Sequence, residues 1–328
     1  NNSSNLFGGG ICCSTNTALI KGNTISGNTA LVHHGGGIYV SSDASTIVDN
    51  VIDDNHAGYY GGGIYWGYDM SISQRGLISG NRITWNRSDH SGGGIYAWYT
   101  TAPVSGNFIF GNSTVNFGGG LACELDGKTV VNNIIMMNSA AFGGGVSSTG
   151  SDTTLTNNTI CYNDGGGLYL SDNALATVSN TIFWGNSTPT GYEIVVGKLG
   201  GAPATLTISH SDVEGGRPAV AVQSGSILNW NSGMIKVDPL FVDFDGPDNN
   251  IFTWEDNDLH LSAVSPCIDA GDNNALSLPI KDFEGDPRIV HGSYKMQIPL
   301  KSTITVGTVD IGADEYSLFK TYSTKPLM

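Results

Sequence analysis

Positive charge is scarce in this sequence: across 328 residues, 14 Lys+Arg face 29 Asp+Glu, for a formal net charge of -15. A protein that grips nucleic acid needs a cationic footprint to release phosphate counterions, so DNA and RNA are excluded as expected partners. Charged residues of either sign amount to 13%, too few for a coiled coil or a disordered polyelectrolyte. Long apolar runs are missing too. None approaches the roughly 18 residues that span a bilayer, and the opening Asn1-Asn2-Ser3-Ser4-Asn5 has no basic, apolar start of the signal-peptide kind. The expectation is a soluble chain, not inserted in a membrane, whose signal is removed before residue 1 if it is exported. Cysteines are few, at 12, 13, 123, 161 and 267. With neither C-x-x-C spacing nor paired histidines at ligand distance, they indicate no zinc site and no required cofactor.

Glycine is the opposite extreme, and its 46 copies are ordered. Gly-Gly-Gly followed by an aliphatic residue begins at Gly8, Gly35, Gly61, Gly92, Gly118, Gly143 and Gly165, with starts 27, 26, 31, 26, 25 and 22 residues apart. A second phrase, Asn-x-Ile-x-x-Asn, keeps step with it at Asn23/Asn28, Asn50/Asn55, Asn81/Asn86, Asn107/Asn112, Asn133/Asn138 and Asn158/Asn163, with a longer variant at Asn180/Asn186. Three short strands fit in each repeat, as in Ile38-Tyr39-Val40, Thr46-Ile47-Val48 and Val51-Ile52-Asp53. Alternation sends Ile38, Val40, Ile47 and Ile52 to one side, and glycine and asparagine suit the turns between. Such a unit hides its apolar face only by stacking on its neighbours, which makes a three-sheet solenoid of 22–31 residues per coil around one continuous core. At a rung spacing of about 4.8 Å, seven repeats span roughly 34 Å. A β-propeller needs four strands and about 40 residues or more per unit, and the period is too short for it.

Over roughly residues 6–215 these registered phrases resemble the right-handed parallel β-helix repeat family, the pectate-lyase-like superfamily. The resemblance implies an all-β, right-handed parallel β-helix with an asparagine ladder through Asn50 and its counterparts. It also implies an extracellular or cell-surface protein. Residues 1–228 are read as the helix. From about Asn229 the texture changes, and Asp238-Pro239-Leu240-Phe241, Asp258-Leu259-His260-Leu261 and Val309-Asp310-Ile311-Gly312-Ala313-Asp314-Glu315-Tyr316 look like the tail that follows such helices. Residues 229–328 are read as an irregular C-terminal cap over exposed strand edges and core. Within it, Asp243, Asp245 and Asp248 offer the alternating oxygens that Ca²⁺ favours, although Pro247 breaks the loop pattern.

A filled tube leaves its outer face for function. Nine of the 30 aromatic residues fall between positions 59 and 99. Tyr39, Tyr65 and Tyr96 occupy one repeat position, with Trp66 and Trp98 beside them; flat aromatics suit sugar rings, or else form a ladder that stiffens a sheet. Arg82 and Arg87 lie in the same region, where a guanidinium can read the carboxylates of an acidic glycan or neutralise nearby aspartates. His33, His34, His56 and His90 gather at the turn before the glycines, and His90 is a candidate proton carrier. Asp69 and Asp126 share a repeat position, and Glu124 is the only glutamate before Glu193. Asp69 and the Glu124/Asp126 pair fall two rungs apart, about 9.6 Å by rung spacing, near the roughly 6.5–9.5 Å between the carboxyls of inverting glycosidases.

The expected function is therefore that of an extracellular enzyme with a groove for an acidic polysaccharide, a glycoside hydrolase or polysaccharide lyase acting as a monomer. Catalysis is assigned to Asp69, Glu124, Asp126 and His90, and binding to Tyr39, Tyr65, Trp66, Arg82, Arg87, Tyr96 and Trp98. A non-catalytic adhesin or glycan-binding β-helix is the alternative, since the fold alone does not separate the two.

Overall fold

The computed structural model describes residues 1–14, 17–41, 44–67, 76–125, 127–198, 201–289 and 307–316. Each repeat contributes one short strand to each of three parallel sheets. Among the described residues, sheet 1 holds nine strands, from Ile11–Cys13 to Val220–Val222; sheet 2 holds nine, from Leu19–Lys21 to Ile227–Trp230; sheet 3 holds eight, from Thr24–Ser26 to Asp212–Val213. A narrow fourth sheet of five two-residue strands, Ser3–Ser4 to Ser113–Thr114, runs beside the first rungs. Register joins the same position of successive repeats, as in Ile38↔Ile64↔Ile95↔Leu121. Ile38, Val40, Ile47 and Ile52 are fully buried in one core that runs the length of the tube.

The glycine triplets are a steric requirement. Gly92 turns the chain at φ 68°. A Cβ on Gly93 would sit 2.5 Å from the Gly119 carbonyl oxygen and 2.6 Å from that of Ser113, both backbone of the next rung.

Two buried asparagine ladders run along the axis. In the first, Nδ2 of Asn28 donates to Oδ1 of Asn55, and the pattern continues through Asn86, Asn112, Asn138, Asn163 and Asn186. The second runs from Asn23 through Asn50, Asn81, Asn107 and Asn133 to Asn158. Each oxygen also accepts the backbone N–H of the preceding rung's asparagine, so turn donors with no strand partner are satisfied inside the wall.

The first ladder ends on a carboxyl: Nδ2 of Asn186 donates to Glu193 Oε2 at 2.7 Å. Burial, reinforced by the charge of Glu214 and opposed by the Asn186 bonds, pushes Glu193 up to about 8. A raised carboxyl favours the folded state in its protonated form, so this contribution is complete below the ordinary value of 4.5 and lost as pH rises through about 8. Glu193→Gln, which keeps an acceptor for Asn186, should match the parent near pH 4.5 and exceed it by on the order of 3 kcal/mol near pH 9. Urea midpoints measured across that range check it.

The C-terminal segment lies along the outer face of sheet 3, where the sequence suggests a lid over the open end. Trp254, Leu259 and Ala313 pack on Phe108, Phe110, Ile134 and Met136, and Leu261, Cys267 and Ile311 pack on Ile182. At the last rungs Leu228, Trp230 and Met234, the latter two within residues 229–328, pack against the core. Three left-handed turn residues, Asn132, Asn157 and Asn180, hook the segment on. Asn157 Nδ2 donates to the Asp310 and Gly312 carbonyls at 3.0 and 3.1 Å, and Asn180 Oδ1 accepts the Asp272 N–H at 2.8 Å. Asn132 Oδ1 accepts from the fully buried Arg288, which also meets Glu315 at 3.5 Å.

Candidate functional site

Alternation puts the residue between two inward aliphatics outside the tube, so Tyr39, Tyr65 and Tyr96 stack in register, followed by Ala122 and Ser147. Tyr39 and Tyr65 have ring centroids 5.1 Å apart at 4°, and Tyr65 and Tyr96 5.6 Å apart at 9°. The expected stripe exists, but it is not an open face. The turn before the glycines folds over it, with His34 on Tyr65 at 4.5 Å and Tyr60 on Tyr96 at 4.2 Å, leaving Tyr65 5% and Tyr96 3% exposed. Burial, helped by His33, lowers His34 to about 4, so it stacks as a neutral ring. Burial also raises the Tyr65 and Tyr96 hydroxyls above the ordinary tyrosine value, which keeps them as donors at neutral pH.

Where the tyrosines give way to Ala122 and Ser147, the missing rings leave a cavity of about 140 Å³. Tyr60, His90, Tyr96 and Phe117 wall one side; Glu124, Asp172 and Lys198 bring charge to it. Glu124 ends its strand in register with Trp98, Thr149 and Ser171. The Tyr96 hydroxyl donates to Glu124 Oε2 and orients the carboxylate. Asp172 directly follows Ser171 at φ 54°, two rungs from Glu124 and thus about 9.6 Å along the axis by rung spacing. The rung between carries Gly150 at the Asp172 position and Thr149 at the Glu124 position. His90 Nδ1 lies 3.2 Å from Ser91 Oγ, and its ring meets Tyr60 edge-on at 4.9 Å.

Of the residues picked from sequence, Glu124, His90 and Tyr96 converge on this cavity. Trp98, partly exposed, packs against the tyrosine cluster and does not line the cavity. Tyr39 and Tyr65 continue the wall away from it. Asp69 and Asp126 lie outside the described residues. Trp66 points into the tube, fully buried beside Ala97 and Gly76, because it occupies the inward position of its strand. Arg82 sits on sheet 3 with its guanidinium 4.5 Å over the Trp254 ring. Arg87 lies on the narrow sheet and pairs with Asp89 at 3.0 Å. Slight burial alone would raise Asp89, but His56 and Arg87 hold it below the ordinary value. The positive charge at the cavity is Lys198. Asp172 and Lys198 escape a reading of the sequence because neither belongs to the glycine or asparagine phrase; only the strand register brings them to the cavity that Glu124 lines.

In the C-terminal segment, Asp248 is turned to its own loop, accepting from the Asn250 N–H at 2.9 Å and the Thr253 hydroxyl at 2.8 Å. Among the described residues, the His/Cys/Asp/Glu group whose ligand atoms come together is His260, Glu284 and Asp314, rather than Asp243, Asp245 and Asp248. Burial alone would lower His260, but its bonds to Asp258 and Glu284 and the charge of Asp314 push it up to about 10.

The family model described as a right-handed β-helix region matches residues 9–239. The chain belongs to the right-handed β-helix family. No curated protein matches the sequence. For this β-helix protein, the family accounts for the coiled rungs and is compatible with either polysaccharide-active or adhesin-like roles. The match ends at residue 239, close to the last sheet 2 strand at Ile227–Trp230, so the sheet 3 flank lies beyond it.

Proposed function

We propose that this β-helix protein binds and cleaves an acidic polysaccharide outside the cell or at its surface, as a monomer, at the cavity below the tyrosine stack. The observation that carries the reading is the convergence of Glu124, Asp172, His90 and Lys198 on one recess beside aromatic walls. Two carboxyls separated by two rungs leave room for a water between base and sugar, the arrangement used in inverting glycoside hydrolysis. Glu124, oriented by Tyr96, takes one carboxyl role and Asp172 the other. Lys198 offers a point charge to a uronate or sulfate, and Trp98 and Phe117 present flat faces to the sugars on either side. The recess is smaller than the roughly 300–1,000 Å³ of a drug-sized site, which suits one sugar residue of the chain.

The test is a screen of acidic and neutral glycans for new reducing ends and for the ultraviolet absorbance of unsaturated uronates. Reducing ends without that absorbance support hydrolysis; both together mean elimination, with His90 rather than Asp172 as the proton acceptor. Glu124→Gln should lower kcat by about 10³-fold with KM little changed. Unchanged turnover would remove Glu124 from the chemistry. The self-stacked tyrosines favour a second reading, a glycan-binding or adhesin-like protein in which the stack stiffens the wall. It predicts binding without products, weakened by Trp98→Ala and indifferent to Glu124→Gln.

A further inference from the structure

We propose that His260, Glu284 and Asp314 bind one divalent transition-metal ion of the zinc class, which clamps separate stretches of the C-terminal segment against sheet 3. The three residues belong to the strand Asp258–Leu261, the turn around 281–289 and the stretch 307–316. Their ligand atoms all lie within 4.8 Å of one another. His260 Nε2 is 3.1 Å from Glu284 Oε1 and 3.8 Å from Asp314 Oδ2. Neighbouring ligand atoms of a tetrahedral ion with bonds of roughly 2.0–2.2 Å are about 3.4 Å apart, so the two separations bracket the required value. Between these side chains and Ile134, Leu259 and Phe283 lies a cavity of about 10 Å³, room for a single small ion.

The other ring nitrogen strengthens the case. Nδ1 of His260 lies 2.5 Å from Asp258 Oδ1. With an ion bound in place of the Nε2 proton, an Nδ1–H donating to that carboxylate would hold the ring with its Nε2 lone pair on the ion, the outer support usual behind a ligating histidine. An imidazole donor selects zinc-like ions over Ca²⁺ and Mg²⁺, which take oxygen ligands. A water completes a site with three protein ligands.

To test this, the full chain is stripped with chelator, dialysed and titrated with ZnCl₂ by calorimetry, with bound zinc counted by elemental analysis. The expected result is one zinc per chain and a melting temperature that rises with zinc. His260→Ala should abolish uptake. Asp258→Asn keeps all three ligands and should weaken it about 10-fold or more. Circular dichroism establishes that both variants keep the solenoid. No uptake by the parent protein, equal uptake by both variants, or an equal melting shift with CaCl₂ would each overturn the site.

Discussion

Gly93→Ala is expected to destabilise the protein by about 3 kcal/mol or more, although it adds one methyl group. The new Cβ would lie 2.5 Å from the Gly119 carbonyl oxygen, 2.6 Å from the Ser113 carbonyl oxygen and 2.7 Å from the carbon of that same carbonyl. All three are backbone atoms of the next rung, so no flexible side chain can yield, and relief requires separating rungs along a fully paired wall. Gly106→Asn provides the contrast. Gly106 sits at φ 62° with no atom of the described residues within 4 Å of the place a Cβ would take, and the equivalent position one rung later is filled by Asn132 at φ 57°. That change should cost under about 1 kcal/mol, the ordinary strain of asparagine in the left-handed region. Denaturant unfolding of both variants measures the difference. Equal midpoints would mean that the triplets serve turn geometry and not inter-rung spacing.

Asn112→Ala should cost about 4 kcal/mol, from interactions that lie wholly inside the wall. The Asn112 side-chain oxygen accepts the Asn86 backbone N–H and Nδ2, both at 2.9 Å. Its Nδ2 donates to the Ile83 carbonyl at 2.8 Å and to Asn138 Oδ1 at 3.0 Å. Truncation strips two buried donors on Asn86 of their acceptor, and each buried donor left unmade costs about 1–3 kcal/mol. Asn23→Ala, at the solvent-exposed start of the other ladder, should cost about 1 kcal/mol or less, because water replaces the lost partner. Thermal melts of the two variants side by side decide whether the ladder acts through burial.

The solenoid is legible in the sequence because its determinants recur. Gly-Gly-Gly and Asn-x-Ile-x-x-Asn mark each turn of every coil, so strand alternation alone places Ile38, Ile47 and Ile52 inward and Tyr39, Tyr65 and Tyr96 outward. Exposure is harder to read, because it depends on what covers the wall. His34 and Tyr60 come from a turn of irregular sequence, and they cover the phenols that alternation puts outside. Trp66 misleads for a related reason: a bulky ring at an inward position fits only because Ala97 on the next rung and Gly76 leave room, and that pairing depends on neighbouring repeats. Arg82 is drawn to its stack on Trp254 by a segment whose path along sheet 3 no periodicity announces. One signal is there to be read. The Asn-Asn doublets at 132–133 and 157–158 carry one asparagine more than the ladder uses, and the extra residue is the hook for that segment.

The direction of the ladder bonds has a consequence for biosynthesis. In every link the amide nitrogen of the earlier coil donates to the oxygen of the later one. A chain emerging from its N-terminus therefore presents, at its growing edge, unsatisfied amide hydrogens that the next asparagine to appear can fill. Each completed coil is a directional template for its successor, which favours assembly in the order of synthesis and gives the finished rod a head and a tail that are chemically distinct.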